Sequence, residues 1–378
     1  MCCPRRFDTQ VLTACPAAGN PVLFIGLLPV VQGEPLKALV LSEYKKLEIM
    51  DIAKPEPAEG DLLIRVRACG ICGSDVHGYD GSTGRRLPPI VMGHEASGIV
   101  EAVGSSVTDF QPGDHVTFDS TVYCGQCFYC RRGQVNLCNQ REVIGVSTPE
   151  FRRMGAFAEY VTVPARIAYR LPDNIPFAHA SLIEAVSVAV HAVSLTPIAI
   201  EDTVVVVGAG MIGLLTLQAA FLAGAGRVFV VDVEDTRLEL ARSLGATATF
   251  NSRNATPVSE IQSLTSGRGA DVAIECVGIS STVNLAVEGV RKGGMVTLVG
   301  NVTPSVEIGL QSVVTRQIRL QGTCASSGEY PTCISLLSRG AIRVEPLLTS
   351  VAPLEEGPEW FRRLYAREPG LLKVVLQP

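Results

Sequence analysis

The stretch TVVVVGAGMIG, residues 203–213, decides the fold. Five β-branched residues in a row, apolar after the first, read as a strand buried on both faces. The run passes straight into G-A-G-M-I-G, residues 208–213, and then into the helical pattern MIGLLTLQAAFLAGA. A G-x-G-x-x-G motif is weak alone, but at the end of a strand and the start of a helix it has the context that dinucleotide binding requires. Gly208 makes the tight turn, Gly210 lets the backbone approach a pyrophosphate, and Gly213 allows close helix–strand packing. The helix N-terminus, with Met211 and Ile212, faces the anion. The next strand pattern, RVFVVD, ends about 20 residues on in Asp232, where an acid accepts ribose hydroxyls. A carboxylate there repels a 2′-phosphate, so NAD is expected rather than NADP; Arg237, one turn further, is a mild counterweight. Val277 and Val299 complete the expected cofactor cleft.

Working outward, residues 187–323 alternate strands and helices: DTRLELARSLGA, DVAIECVG, STVNLAVEGVRKGG and MVTLVG follow in turn. That pattern predicts a parallel sheet with helices on both faces. Residues 37–186 differ. KALVLSE, LLIRVRACG, ASGIVEAVG, HVTFDST and AEYVTVP are short strand-like runs punctuated by Gly and Pro, and predict a compact β-barrel. From 324 to 378 the chain reads as a helix ending at Gly340, a helix PEWFRRLYAR and a closing strand LLKVVLQP. Residues 1–36 lack periodicity. They contain Arg5 and Arg6 ahead of an apolar run broken by Gly26 and Pro29, with no small-x-small cleavage site. They are set apart as a disordered or over-extended leader, with Leu36 as the expected initiator, rather than as a signal peptide.

A net charge of -5 argues against a nucleic-acid binder. No apolar run is read as a membrane span. The chain holds 12 cysteines, and free thiols at that density suit a reducing cytoplasm. Four of them, Cys124, Cys127, Cys130 and Cys138, stand at C-x2-C-x2-C-x7-C spacing. A tetrahedral zinc cage suits this density, with disulfides as the alternative and an iron–sulfur cluster disfavoured by its different spacings. Arg131 and Arg132 would offset the thiolate charge.

Three further stretches carry metal-ligand chemistry. GICGSDVHGYD holds Cys72, Ser74, Asp75 and His77; GHEASGIVEAVG holds His94 and Glu95; LIEAVSV holds Glu184. Three protein ligands with an open position describe a catalytic zinc. Glu184 sits inside an apolar run, where a carboxylate needs a partner.

These motifs, in this order and spacing over residues 37–378, resemble the zinc-dependent medium-chain dehydrogenase/reductases, and within them the sorbitol (polyol) dehydrogenase branch. The resemblance implies a GroES-like barrel joined to a Rossmann domain. It implies a catalytic zinc on Cys72, His94 and an acid, with Glu95 and Glu184 at ligand or near-ligand positions, and a structural zinc on the four clustered cysteines. It places Asp75 behind His94 to orient its ring, and matches Ser74 and His77 to a proton relay. It implies that a secondary alcohol of a polyol, sorbitol-, galactitol- or iditol-like and either free or phosphorylated, loses its proton through Ser74 and His77 and its hydride to NAD, giving a ketose. L-threonine or a vicinal diol is the alternative substrate, and a non-catalytic nucleotide-binding redox sensor the distant one. The branch usually carries an Arg-Tyr pair after the segment matching RLQGT; here residues 323–330 read TCASSGEY, without the arginine. Relatives are dimers or tetramers, and the edge run VEIGLQSVVTRQIRLQG can serve that purpose.

Overall fold

The computed structural model describes residues 35–378. The leader reading of residues 1–36 therefore falls almost wholly outside the described residues, and Pro35 and Leu36 already belong to a strand, Pro35–Glu43. The stretch opened on above forms the strand Thr203–Val207 and the helix Met211–Leu222. Its strand lies inside a six-stranded all-parallel sheet. The order is Ala248–Asn251, Arg227–Asp232, Thr203–Val207, Ala270–Glu275, Val290–Leu298 and Arg319–Gly322. All five residues of Thr203–Val207 are buried, as a strand covered on both faces demands. Order reverses across this strand, so the crevice at its carboxyl end lies where such sheets bind ligands.

One expectation fails locally. The pattern STVNLAVEGVRKGG reads as helix throughout, but the helix stops at Gly289 and Val290 begins the next strand. Val290 pairs with Ala270, and Gly293, at φ +70°, lets the strand bulge before Met295 regains register.

The second unit is a seven-stranded sheet with neighbours in the order Ala168–Arg170, His115–Phe118, Glu95–Val103, Asp61–Gly70, Lys373–Gln377 and Leu348–Pro353; Tyr160–Pro164 also pairs with Asp61–Gly70. With the smaller sheet Lys46–Ala53, Pro35–Glu43, Ile90–Val91 it closes the expected barrel. The C-terminal strand returns to this barrel, alongside Asp61–Gly70. The helix Ile183–Ser194 packs against Met211–Leu222, running across the 186/187 border between the two units. Taken with the turn before it, Phe177–Ser194 is one stretch long and apolar enough to cross a bilayer, contrary to the sequence reading. Here 61% of it is buried, as in the core helix of a packed protein.

Candidate functional site

Three strand ends bring the catalytic candidates together. Gly70, at the end of the central barrel strand, lies opposite Glu95, the first residue of its antiparallel neighbour. On the other side Val375 of the C-terminal strand pairs with Gly70. A Cβ at position 70 would stand 2.4 Å from a Glu95 carboxylate oxygen, so only glycine leaves room for that side chain. Two residues past Gly70, Cys72 caps the short helix Gly73–Gly78, and His94 immediately precedes Glu95. The Sγ of Cys72, a ring nitrogen of His94 and a carboxylate oxygen of Glu95 all lie within 4.8 Å of one another. A sulfur, a nitrogen and an oxygen at this separation form a donor set suited to zinc.

The electrostatics ask for positive charge. Burial alone would lower His94, but the charges of Asp75 and Cys72 raise it well above its usual range. Its Nδ1 is buried without a hydrogen-bond partner, while Asp75 stands 3.5 Å away at ion-pair distance. With Nδ1 turned to Asp75, Nε2, beside Ser74, is the nitrogen left to face a cation in this electronegative pocket. Asp75 is fully buried. Burial would raise it, but His94 and Arg86 overcome that and hold it at about 2. Arg86, at 2.9 Å from Asp75 and 3.4 Å from the Ser74 hydroxyl, went unnoticed in the sequence. Ser74 Oγ in turn lies 3.5 Å from His94 Nε2. His77 sits half-buried in the last turn of the same helix.

Lys373 is the second residue that sequence reading missed. It is buried, and its Nζ donates to both Glu95 oxygens at 2.6 and 2.9 Å and to the Ile71 carbonyl at 3.0 Å. Burial pushes its pKa down, and the Glu95 charge more than reverses this. A lone lysine inside the apolar strand KVVLQ was the available signal, of the same kind as Glu184 in its apolar run. Glu184, in the first turn of Ile183–Ser194, lies outside the close trio but in electrostatic contact with His94, Glu95, Asp119 and Lys373. Burial, above all, raises it to about 7.

The four clustered cysteines form a separate centre. Their sulfurs also lie within 4.8 Å of one another, and three of the pairs measure 3.5, 4.0 and 4.0 Å. A tetrahedron of sulfurs about 2.3 Å from a zinc has edges of about 3.8 Å, whereas a disulfide needs about 2.05 Å. The nine described cysteines are all free. The Gln126 amide leads in lowering Cys124, and the Cys130 amide leads in lowering Cys127, to about 6; burial and the neighbouring thiols push Cys130 up to about 12. Thiols drawn toward thiolates by backbone amides can hold this metal.

At the nucleotide crevice, Gly208 has φ +99°, a turn that other residues adopt with strain. A Cβ on Gly213 would stand 1.7 Å from the Gly208 carbonyl, while one on Gly210 would meet nothing within 4 Å. The first is close packing; the second is open space where a pyrophosphate fits. Asp232 is fixed by three backbone amides: Ala209 at 2.6 Å, Val233 at 2.8 Å and Glu234 at 2.9 Å. Glu234 adds a second acid, paired with Arg253 at 2.8 Å. Arg237 is half-buried on the helix Asp235–Ser243. Val277 lies against Gly208, and Val299 donates its amide to the Glu275 carbonyl, on the same crevice.

Two family models match the chain: the alcohol dehydrogenase GroES-like domain over residues 58–173 and the zinc-binding dehydrogenase domain over residues 212–339. The chain is 33% identical over 347 residues to sorbitol dehydrogenase of Bacillus subtilis, covering 91% of this chain and 97% of that one. Among solved structures it is similar to galactitol-1-phosphate dehydrogenase of Escherichia coli, with TM-score 0.84, 30% identity, and 90% and 100% of the two chains covered. It is equally similar to a putative zinc-binding dehydrogenase of Sinorhizobium meliloti bound to NADP, with TM-score 0.84, 34% identity, and 91% and 100% covered.

Proposed function

The chain belongs to the zinc-dependent medium-chain dehydrogenases, is a polyol-dehydrogenase-like oxidoreductase of CH–OH donors using zinc and a nicotinamide nucleotide, and from that premise we propose that it oxidises a secondary hydroxyl of a polyol to a ketone with NAD. The observation that carries this is the close trio Cys72, His94 and Glu95, in electrostatic contact with Glu184. We assign the catalytic zinc to these residues and a second, structural zinc to Cys124, Cys127, Cys130 and Cys138. Bound there, zinc supplies the Lewis acidity that makes an alcohol hydroxyl acidic near neutral pH, and the nicotinamide supplies the hydride acceptor.

The chain's own residues do the rest. Arg86 donates to the Ser74 oxygen, leaving the Ser74 hydroxyl free to pass a proton outward to His77. Asp75, pinned by Arg86, keeps a negative charge behind His94. Lys373 holds Glu95 against the trio. Glu184, at about 7, accepts or releases a proton close to the working pH. Asp232 with Glu234 forms an acidic wall that suits the ribose of NAD and opposes a 2′-phosphate.

The free thiols suit the cytoplasm. The edge strand Arg319–Gly322 is exposed, with exposed Leu310 and Val314 nearby, and suits pairing with a second copy in a dimer or tetramer. The test is reduction of NAD and NADP on free polyols, polyol phosphates, 2,3-butanediol and threonine, with and without a strong zinc chelator. Chelator-sensitive turnover of a free polyol with NAD is expected. Turnover of threonine alone moves the enzyme to the other substrate class, and preference for NADP removes the role given to Asp232 and Glu234.

A further inference from the structure

Residues 323–329 are tied at once to the nucleotide sheet, the barrel, the four-cysteine lobe and the helix at the border between the units. They leave the sheet at its carboxyl end: Gly322 pairs with Leu298, and the Thr323 amide donates to the Leu298 carbonyl at 3.1 Å. The barrel takes hold where Ser326 donates to the buried Asp119 at 3.3 Å. The lobe and its exit supply three ties. Asn136 Nδ2 donates to the Cys324 carbonyl at 2.7 Å, Arg141 Nη1 donates to the Cys324 sulfur at 3.2 Å, and the Gly133 carbonyl accepts from Ser327 at 2.8 Å. The border helix Ile183–Ser194 closes the set, with His191 Nδ1 donating to Glu329 at 2.6 Å. Held this way, Ala325 keeps a left-handed backbone, φ +50°, which a non-glycine residue adopts only where its surroundings over-determine it.

Asn136 is the pin of this arrangement. It is buried, and both protons of its amide are used. One goes to the Cys324 carbonyl; the other faces His191 Nε2 at 3.4 Å, the ring nitrogen left to accept once Nδ1 donates to Glu329. Its own carbonyl accepts from Arg141 at 2.7 Å. Asn136 lies on the short turn Val135–Leu137, directly ahead of Cys138, so its place depends on the lobe being folded on its metal. The far end of the segment reaches the nucleotide crevice. Val299, next to Leu298, donates its amide to the Glu275 carbonyl at 2.8 Å, and Val277, two residues past Glu275, lies against Gly208. We propose that the four-cysteine lobe is a latch on the junction between the two units, with Asn136 and Ser327 as its positioning residues, and that the latched junction sets the affinity for the nicotinamide nucleotide. The lobe is the two-state element that such coupling requires, ordered with its metal and disordered without it. The latch needs a nicotinamide nucleotide but no particular substrate, so the polyol reading can fail without touching it.

The experiment compares the full-length holoenzyme with Asn136→Ala, Ser327→Ala, their double variant and the conservative Ser327→Thr. Val163→Ala, in the barrel core, controls for lost stability alone. Dissociation constants for NADH and, in parallel, NADPH are read by fluorescence titration. Amide exchange is followed by mass spectrometry over peptides spanning residues 320–330, and zinc content is measured on each protein. Asn136→Ala is expected to weaken the preferred nucleotide on the order of tenfold, Ser327→Ala less and the double variant most. Exchange at 320–330 should quicken in the same order while zinc content holds. Ser327→Thr, which keeps the hydroxyl, should bind as wild type does. Unchanged nucleotide affinity in the double variant overturns the latch, and so does an equal loss of affinity in Val163→Ala. If Asn136→Ala loses its lobe zinc, the comparison of Ser327→Ala with Ser327→Thr decides: weaker binding in Ser327→Ala alone supports the latch, and equal affinities overturn it.

Discussion

The molecule builds two clusters of candidate metal ligands by opposite routes. The lobe draws its four sulfurs from fifteen consecutive residues, 124–138, with turns of 3-10 helix between them and little core of its own. The cleft draws Cys72, His94 and Glu95 from the ends of buried barrel strands, then surrounds them with charges delivered from far along the chain. Arg86 serves Asp75, and Lys373 reaches Glu95 across 278 residues. The lobe's thiols are half-exposed apart from Cys138, whereas Asp75, Glu95 and Lys373 are almost wholly buried. A centre with no scaffold depends on its metal to fold. A centre set in a scaffold folds without it and keeps an open position for chemistry.

The largest effects should separate the two centres outright. Cys127→Ser removes a ligand from a lobe in which metal binding, on the order of 10 kcal/mol, is folding energy; the expected result in thermal denaturation is a large fall in Tm, with one zinc lost per chain. Cys72→Ser is expected to leave Tm near wild type and to cut kcat on the order of a thousandfold, since the Lewis acid goes with its ligand. If Cys72→Ser unfolds the protein as readily as Cys127→Ser does, the distinction collapses.

Next in size is the buried ion pair behind the cleft. Lys373→Met strands the Glu95 carboxylate, at a cost of about 3–5 kcal/mol, to be read as a fall in urea midpoint. The double variant with Glu95→Gln should recover most of that loss, because no buried charge is then left alone. Smaller again is Asp75→Asn, which weakens the charge behind His94. Turnover or zinc affinity should drop about 10–100-fold, read by steady-state assay and chelator competition, and Tm should fall as well because the buried Arg86 loses its counter-charge.

The last contrast is a pH dependence. Burial raises Glu184 from 4.5 to about 7 in the folded protein. Below pH 4.5 both folded and unfolded states are protonated and Glu184 contributes nothing. As pH rises through 4.5 the unfolded state ionises first, so stability falls until the folded group ionises near 7, and the penalty is constant above that. With the cleft zinc removed and the lobe zinc retained, Glu184→Gln should therefore melt above wild type at pH 8, and the gap should close below pH 4.5. An unchanging gap would mean that Glu184 is not the group titrating.

This contrast also explains what could be read in advance. Cys124, Cys127, Cys130 and Cys138 were legible because their geometry is local, and spacing alone carries it. Gly208, Gly210, Gly213 and Asp232 were legible because a strand, a turn and a helix fix their relative positions within one βαβ unit. Cys72, His94 and Glu95 were legible by residue type and by resemblance, though only the register of Gly70 with Glu95 shows why they meet. Arg86 and Lys373 carry no motif; each is a single cation whose partner is chosen by the tertiary fold. The pairing of His191 with Glu329, 138 residues apart, is beyond any local pattern for the same reason. The helix overrun at 290–294 had a local cause, since Gly293 and Gly294 signalled a break that the apolar periodicity of the preceding helix masked.

The central claim, one metal for folding and one for chemistry, is tested most directly by following zinc release, activity and unfolding together during slow addition of a strong chelator to the purified enzyme. The expected record has two zincs per chain leaving in two phases: the first abolishes turnover while the fold persists, and the second coincides with unfolding. A single phase, or activity that survives the first zinc's departure, would contradict it.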